Sequence, residues 1–331
     1  MKNLKNVGLF AIVILVTLIL TLTQAYATTI TVGTHPEGVA FDSHLDEIFV
    51  ANNGGGAGTT VSVISDATNT VTDTITVGTG PVGVAFDSHL NEIFVTNYDA
   101  GPPGTVSVIS DATNKVVATI TVGSHPFGVA FDSNKNEVFV ANAGSPYSGN
   151  TVSVISDATN KIIKTITVGY APDGVVFDSH KSEVFVANYY SNTVSVISDA
   201  TNKVTATITL PAYSDPGWVA FDSNKNEVFT VNTGPYGYGK TVSVISDATN
   251  KVTATITVGS DPIAVAFDSH KNEVFVTNYG SNTVSVISDA TNTVTKTITG
   301  FTGPFGVAFD SHLNEIFVTN EDSDTVSVIP G

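Results

Sequence analysis

The 331-residue chain contains no cysteine and no arginine, and only one tryptophan. Without cysteine there is no disulfide, no thiol nucleophile and no cysteine-linked lipid anchor, so the fold must be held by packing and hydrogen bonds. All 13 basic residues are lysines, against 30 carboxylates. An acidic chain lacking the bidentate guanidinium is poorly suited to nucleic acid or an anionic membrane surface. No Asn-x-Ser/Thr sequon, phosphate-binding loop, dinucleotide fingerprint or nucleophile elbow occurs.

Long apolar runs are also scarce, and the one present is at the start. Lys2 and Lys5 precede an uncharged run over 7–22, followed by Thr-Gln-Ala-Tyr-Ala. A basic segment, an apolar segment and small residues at Ala25 and Ala27 predict a signal peptide over 1–27, cleaved after Ala27. An uncleaved anchor is the competing reading, since residues 7–30 carry no charge and are long enough to span a bilayer. Cleavage leaves 11 lysines against 30 carboxylates, a net charge of −19, and no membrane span.

What is abundant is repetition. The phrase Thr-Val-Ser-Val-Ile-Ser-Asp-Ala-Thr-Asn starts at Thr60, Thr105, Thr151, Thr193, Thr241 and Thr283, and returns truncated at Thr325. The phenylalanine of Val-Ala/Val-Phe-Asp-Ser falls at Phe41, Phe86, Phe131, Phe177, Phe221, Phe267 and Phe309, at spacings of 45, 45, 46, 44, 46 and 42. Each unit holds four short β-branched or aromatic runs, here strands a, b, c and d, separated by turn signals. A period in the forties with four strands per unit predicts an all-β, seven-bladed β-propeller of four-stranded antiparallel blades. The repeats cover about 34–78, 79–123, 124–169, 170–213, 214–259, 260–301 and 302–331. The last unit lacks strand d, and Thr28–Gly33 (Thr-Thr-Ile-Thr-Val-Gly) supplies a spare one. This predicts that residues 28–331 form one ring, closed when the N-terminal strand completes the last blade.

Strand b ends in Phe-Val-Thr-Asn at Phe94–Asn97, Phe275–Asn278 and Phe317–Asn320, or Phe-Val-Ala-Asn at Phe49–Asn52, Phe139–Asn142 and Phe185–Asn188. With the flanking Pro-x-Gly-Val-Ala-Phe-Asp and Val-Ser-Val-Ile-Ser phrases, the chain resembles the YVTN β-propeller repeat family. It departs from the family in having Phe for the first Tyr, and Phe-Thr-Val-Asn at Phe229–Asn232. The resemblance spans the whole chain after residue 27. It implies an exported, archaeal surface-layer-like propeller, and carries no catalytic residue.

Alternating strands place the a–b and c–d turns on one face, and the b–c loops and d–a connections on the other. The first face repeats. The Asp of Phe-Asp-Ser and the Glu opening strand b recur in all seven units and the Asp of Ser-Asp-Ala-Thr-Asn in six. Carboxylates that recur in every blade read as turn caps or a solvated rim. His44, His89, His180, His270 and His312 share one turn position with Asn134 and Asn224, which points to a turn preference and predicts no metal ligand.

The second face varies. Tyr98, Tyr147, Tyr170, Tyr189, Tyr190, Tyr213, Tyr236, Tyr238 and Tyr279 all fall there, with Trp218 at the same end of blade 5. Such rings are effective binding anchors, so these ten residues form the expected ligand-binding set. The alternative is that they pack as a lid over the loops. Around the repeated proline, His35, Glu37, His125, Asp173, Asp215 and Asp261 are expected at the channel mouth. They differ between blades, as one asymmetric site requires. No local spacing among them defines a metal or catalytic motif, so no catalytic residue, metal or cofactor is assigned. The expected function is non-enzymatic binding of a protein or glycan outside the cell, as a secreted or cell-surface component, either monomeric or in a surface lattice. The alternative is a propeller enzyme, such as a lactonase, a lyase or a quinoprotein-type dehydrogenase, acting at the channel mouth.

Overall fold

The computed structural model describes residues 28–145 and 148–330. The expected signal peptide lies outside the described residues, as does Tyr147. Seven four-stranded antiparallel sheets form a ring. In blade 1, strand a is Pro36–Asp42, b Glu47–Asn52, c Thr60–Ser65 and d Thr70–Thr76. Blades 2 to 6 repeat this order. In blade 7, Pro304–Asp310, Glu315–Asn320 and Thr325–Ile329 are completed by Thr28–Thr31. That strand runs antiparallel to strand c, with Thr28 opposite Val328 and Thr31 opposite Thr325. Ring closure by the N-terminal strand is therefore as the repeat count predicts.

The core is divided among the blade interfaces. Strands b and c are buried on both faces, and their side chains form clusters that each join two neighbouring blades. The strand-b phenylalanines Phe49, Phe94, Phe139, Phe185, Phe229 and Phe317 are among the largest fully buried side chains. At the closure, Ile30 packs with Phe317, Val326 and Val328 of its own blade and with Ile48, Val50 and Ile64 of blade 1. Strand d departs from the two-sided apolar pattern. It is mostly exposed, with one buried isoleucine near its end, because it forms the outer rim and has less neighbouring surface to cover it.

The repeated phrases acquire specific jobs. In all seven blades the strand-b Asn donates through Nδ2 to the Thr and Ser of the adjacent Thr-Val-Ser; for Asn188 the distances are 3.1 Å to Thr193 and 2.9 Å to Ser195. This satisfies polar groups that would otherwise be stranded in the sheet interior. The last Asn of Ser-Asp-Ala-Thr-Asn takes a left-handed backbone in each c–d turn, from Asn69 (φ 52°) to Asn292 (φ 52°), a conformation Asn tolerates well. The Asp of Phe-Asp-Ser caps its turn, with Oδ1 accepting the backbone N–H two residues on at 2.7–2.8 Å in every blade.

Candidate functional site

The channel is lined by strand a, whose N-terminal end is irregular in a way that sets up the site. In each blade the a–b register slips just after the proline; in blade 1, Pro36 pairs with Asn52 but Val39 with Val50. A bulge re-aims the residues it displaces. The displaced pair in blade 1 is Glu37 and Gly38. A Cβ on Gly38 would lie 1.9 Å from the carbonyl oxygen of Val82 in the next blade, so the inner strands approach too closely there for any side chain. Two blades depart from this: the equivalent position is Ala264 in blade 6 and Trp218 in blade 5, where Gly217 precedes it. The indole is half-buried and reaches well beyond its own blade. Its ring lies 5.8 Å from that of Phe127 in blade 3 and packs on the cluster of Ala264, Phe301 and Val307 in blades 6 and 7. Trp218 therefore lies across the channel.

The residue before the proline carries a second constraint invisible in the sequence. His35, Gly80, His125, Ala171, Asp215, Asp261 and Gly303 all have positive φ, between 41° and 61°. Gly, Asp and His are tolerated there more readily than most residues. The variety at this position thus reflects the backbone as well as any ligand. Its carbonyl accepts a backbone N–H from the residue just after strand b, as in Tyr98 to Gly80 at 2.8 Å and Glu321 to Gly303 at 2.8 Å.

That residue after strand b supplies wall groups which the expected set only partly included. Tyr98 stands edge-on to His125 at 4.8 Å and to Phe127 at 5.8 Å, both in blade 3. Glu321 and Asp99 were not in the expected set, and both act on Glu37. Comparing the position after each strand-b Asn across units (Asn53, Tyr98, Ala143, Tyr189, Thr233, Tyr279, Glu321) would have pointed to Glu321.

The electrostatics are those of an acidic funnel. Burial raises the Glu37 carboxyl well above the usual carboxylate range, reinforced by Glu321, Asp99 and Asp173. Asp173 is pushed up to about 7 by burial alone. Each keeps some solvent contact along the channel, yet the wall around it is dense enough for burial to dominate. Glu321 is also raised, by burial and then by Asp322, while His35 opposes the shift. Burial raises Asp215 and Asp261 as well. The Tyr279 hydroxyl donates to Asp322 at 3.1 Å and is pushed up to about 12, with burial the leading cause and Glu321 next. Trp218 Nε1, His125 Nδ1, Asp173 Oδ1 and Asp261 Oδ1 are buried atoms without a hydrogen-bond partner. Orphaned donors and acceptors of this kind are what a bound polar molecule satisfies.

The expected tyrosine set divides in two. Tyr98, Tyr189 and Tyr279 are half-buried at the funnel. Tyr170, Tyr190, Tyr213, Tyr236 and Tyr238 are exposed, the last three at 77%, 92% and 79%, and all five belong to loops of blades 4 and 5 or the connections leading into them. Rings so exposed do not act as a lid. A separate surface depression of about 420 Å³ near Pro102, Ser124 and Asn150 has no ionisable group among the described residues of its lining.

The turns of the opposite face correct one expectation. The histidines of Phe-Asp-Ser-His reach across to the next blade: His44, His89, His180 and His312 place Nδ1 2.7–2.8 Å from Asp111, Asp157, Asp247 and Asp66 respectively. Asn134 spans the same gap to Ser182 at 2.9 Å. Interchange of His and Asn therefore reflects bonding between blades, not turn preference alone.

Fold and site together define a seven-bladed β-propeller with an asymmetric acidic and aromatic funnel on its variable face. Comparison with known proteins agrees with that class. A family model described as "Lactonase, 7-bladed beta-propeller" matches residues 197–304, from strand c of blade 4 to the start of blade 7. No curated protein matches the sequence. Among solved structures, the chain is similar to hydrazine synthase of Kuenenia stuttgartiensis, at 17% identity and a TM-score of 0.77, covering 90% of this chain and 96% of that one. It is also similar to a structure of streptogramin B lyase, at 14% identity and a TM-score of 0.76, covering 92% and 98%. At these identities the likeness is one of fold.

Proposed function

We propose that this protein is an exported, non-enzymatic propeller that binds a glycan or protein at the cell surface through its tyrosine-bearing face, as a monomer or as one component of a surface lattice. The observation that carries the reading is the group of five exposed tyrosines on the loops of blades 4 and 5. A group of exposed aromatic rings is unusual on a protein surface, and these rings combine apolar area with a hydroxyl at low entropic cost. The basic n-region and Ala-x-Ala site support export. The test is the triple variant Tyr213→Ala, Tyr236→Ala, Tyr238→Ala, assayed for binding to whole cells and isolated envelope. A loss of at least tenfold in affinity, with Tm unchanged, is expected. Undiminished binding would rule out the patch.

A second reading is favoured by one specific feature, the acid funnel. Asp173, raised to about 7, is poised between its protonated and ionised forms near neutral pH, a condition suited to general acid or base catalysis. The partial match to a lactonase family model supports hydrolysis of a cyclic ester as the reaction class. Lactone hydrolysis that Asp173→Asn abolishes would establish that reading. Hydrolysis equal in parent and variant, or absent from both, would remove it.

A further inference from the structure

The blade junctions of the repeated face hold a cluster that neither reading uses. At the junction of blades 4 and 5, Asp178 ends strand a and is fully buried. Its Oδ1 accepts the backbone N–H groups of His180 and Lys181 at 2.8 and 3.1 Å. Its Oδ2 is buried and has no partner. Across the junction, the buried Asp247 of blade 5 brings Oδ2 to 2.7 Å from His180 Nδ1. One oxygen from each carboxylate and His180 Nδ1 all lie within 4.8 Å of one another. A buried carboxylate oxygen without a donor is costly unless a proton, a water or a cation meets it.

The arrangement recurs. His312 forms the second such cluster among the described residues, with one oxygen each from Asp46 and Asp66 within 4.8 Å of its imidazole nitrogen and of one another, whereas His44 and His89 repeat the single imidazole–carboxylate contact, to Asp111 and Asp157. At the ring closure Asp46 lies 3.5 Å from His312 Nδ1. We propose that the junctions at His180 and His312 each bind a divalent cation of the zinc class, held by one imidazole and two carboxylates drawn from neighbouring blades. One nitrogen with two oxygens suits such an ion, and the half-exposed imidazole edge leaves room for water as a further ligand. Tetrahedral ligands about 2.1 Å from zinc sit roughly 3.4 Å apart. The cluster therefore needs only side-chain adjustment to close on the ion. Binding shifts the imidazole hydrogen from Nδ1 to Nε2, so a neutral histidine coordinates without net proton release.

The fifth histidine is a built-in control. His270 occupies the same turn position, but strand c of blade 7 is not followed by a c–d turn among the described residues. Among the described residues its ring is in no ion pair, and it stands edge-on to Phe309 at 5.3 Å.

The experiment titrates Zn²⁺ into chelator-treated protein by calorimetry at pH 7.5, with Tm read in parallel. Because Asn already stands at positions 134 and 224, His→Asn variants retain a residue the fold accepts. Up to two ions per chain are expected, with a rise in Tm. His180→Asn should bind one fewer. Asp178→Asn should also bind one fewer, since its amide can still cap the turn but no longer offers the free oxygen. The double variant His180→Asn, His312→Asn should bind none, while His44→Asn, His89→Asn and His270→Asn match the parent. Absence of uptake by the folded parent, or equal uptake by the double variant, overturns the proposal. So does Ca²⁺ binding of equal stoichiometry in parent and double variant, which would mark a site made of carboxylates alone.

Discussion

Asp173 makes the stability of the ring depend on pH in a direction opposite to that of most carboxylates. Burial raises its pKa to about 7, whereas an aspartate in the unfolded chain titrates near 3.9. Between about pH 4 and 7 the folded state thus holds a proton that the unfolded state has released. Stability is highest at the acid end of that window and falls as pH rises through it. At about 1.4 kcal/mol per pH unit, the contribution lost approaches about 4 kcal/mol. Solvent entering the channel lowers this, and about 2 kcal/mol is a fair minimum. Asp173→Asn keeps the shape and removes the titration. Calorimetric unfolding of parent and variant from pH 4 to 8 should give curves whose separation grows with pH, the variant being the more stable by at least about 2 kcal/mol at pH 8. Glu37 should steepen the parent curve, because its pKa is raised in the same direction. Parallel profiles across the window would refute the burial of an ionisable Asp173.

Two further outcomes follow from the backbone. Deleting residues 28–33 uncovers strand c of blade 7 and removes Ile30 from its cluster; loss of cooperative unfolding or aggregation is expected by light scattering and urea denaturation. Ile30→Ala, a milder change, should cost about 2–5 kcal/mol. Ala171 is buried with φ 50°, where its equivalents Gly80 and Gly303 carry no Cβ. Ala171→Gly should relieve about 1–2 kcal/mol of left-handed strain, offset in part by the added freedom of the unfolded chain. A net gain of about 0.5–1 kcal/mol in denaturant unfolding is expected, and a loss would mean that the Ala171 methyl contributes more by packing than it costs.

The blades were legible because each strand carries its own period and each turn its own residues: Val-Ser-Val-Ile could only be buried on both faces, and Asn69 and its equivalents mark left-handed turns. The site was less legible because it depends on what the ring brings together. Glu37 and Asp173 stood out as irregular in the repeat, but nothing local connects blade 1 to blade 4. Trp218 could be placed at the correct end of its blade, yet its reach to Phe127 depends on channel width. The Asp and His residues before the proline looked like functional variation, and the structure shows that a positive φ governs them as well. Conversely, the repeated Phe-Asp-Ser-His looked like a turn formula, since its partner Asp lies about 67 residues away along the chain.

Pairing of Thr28 with Val328 also imposes an order of events on synthesis. Thr28–Thr31 leaves the ribosome well before its partner, and must wait until Thr325–Ile329 has been made. During that delay strand c of blade 7, once formed, has an open position that any copy of Thr28–Thr31 can fill. A neighbouring nascent chain carries the same segment. High local concentration on polysomes therefore favours exchanged strands and linked rings, whereas dilution favours self-closure.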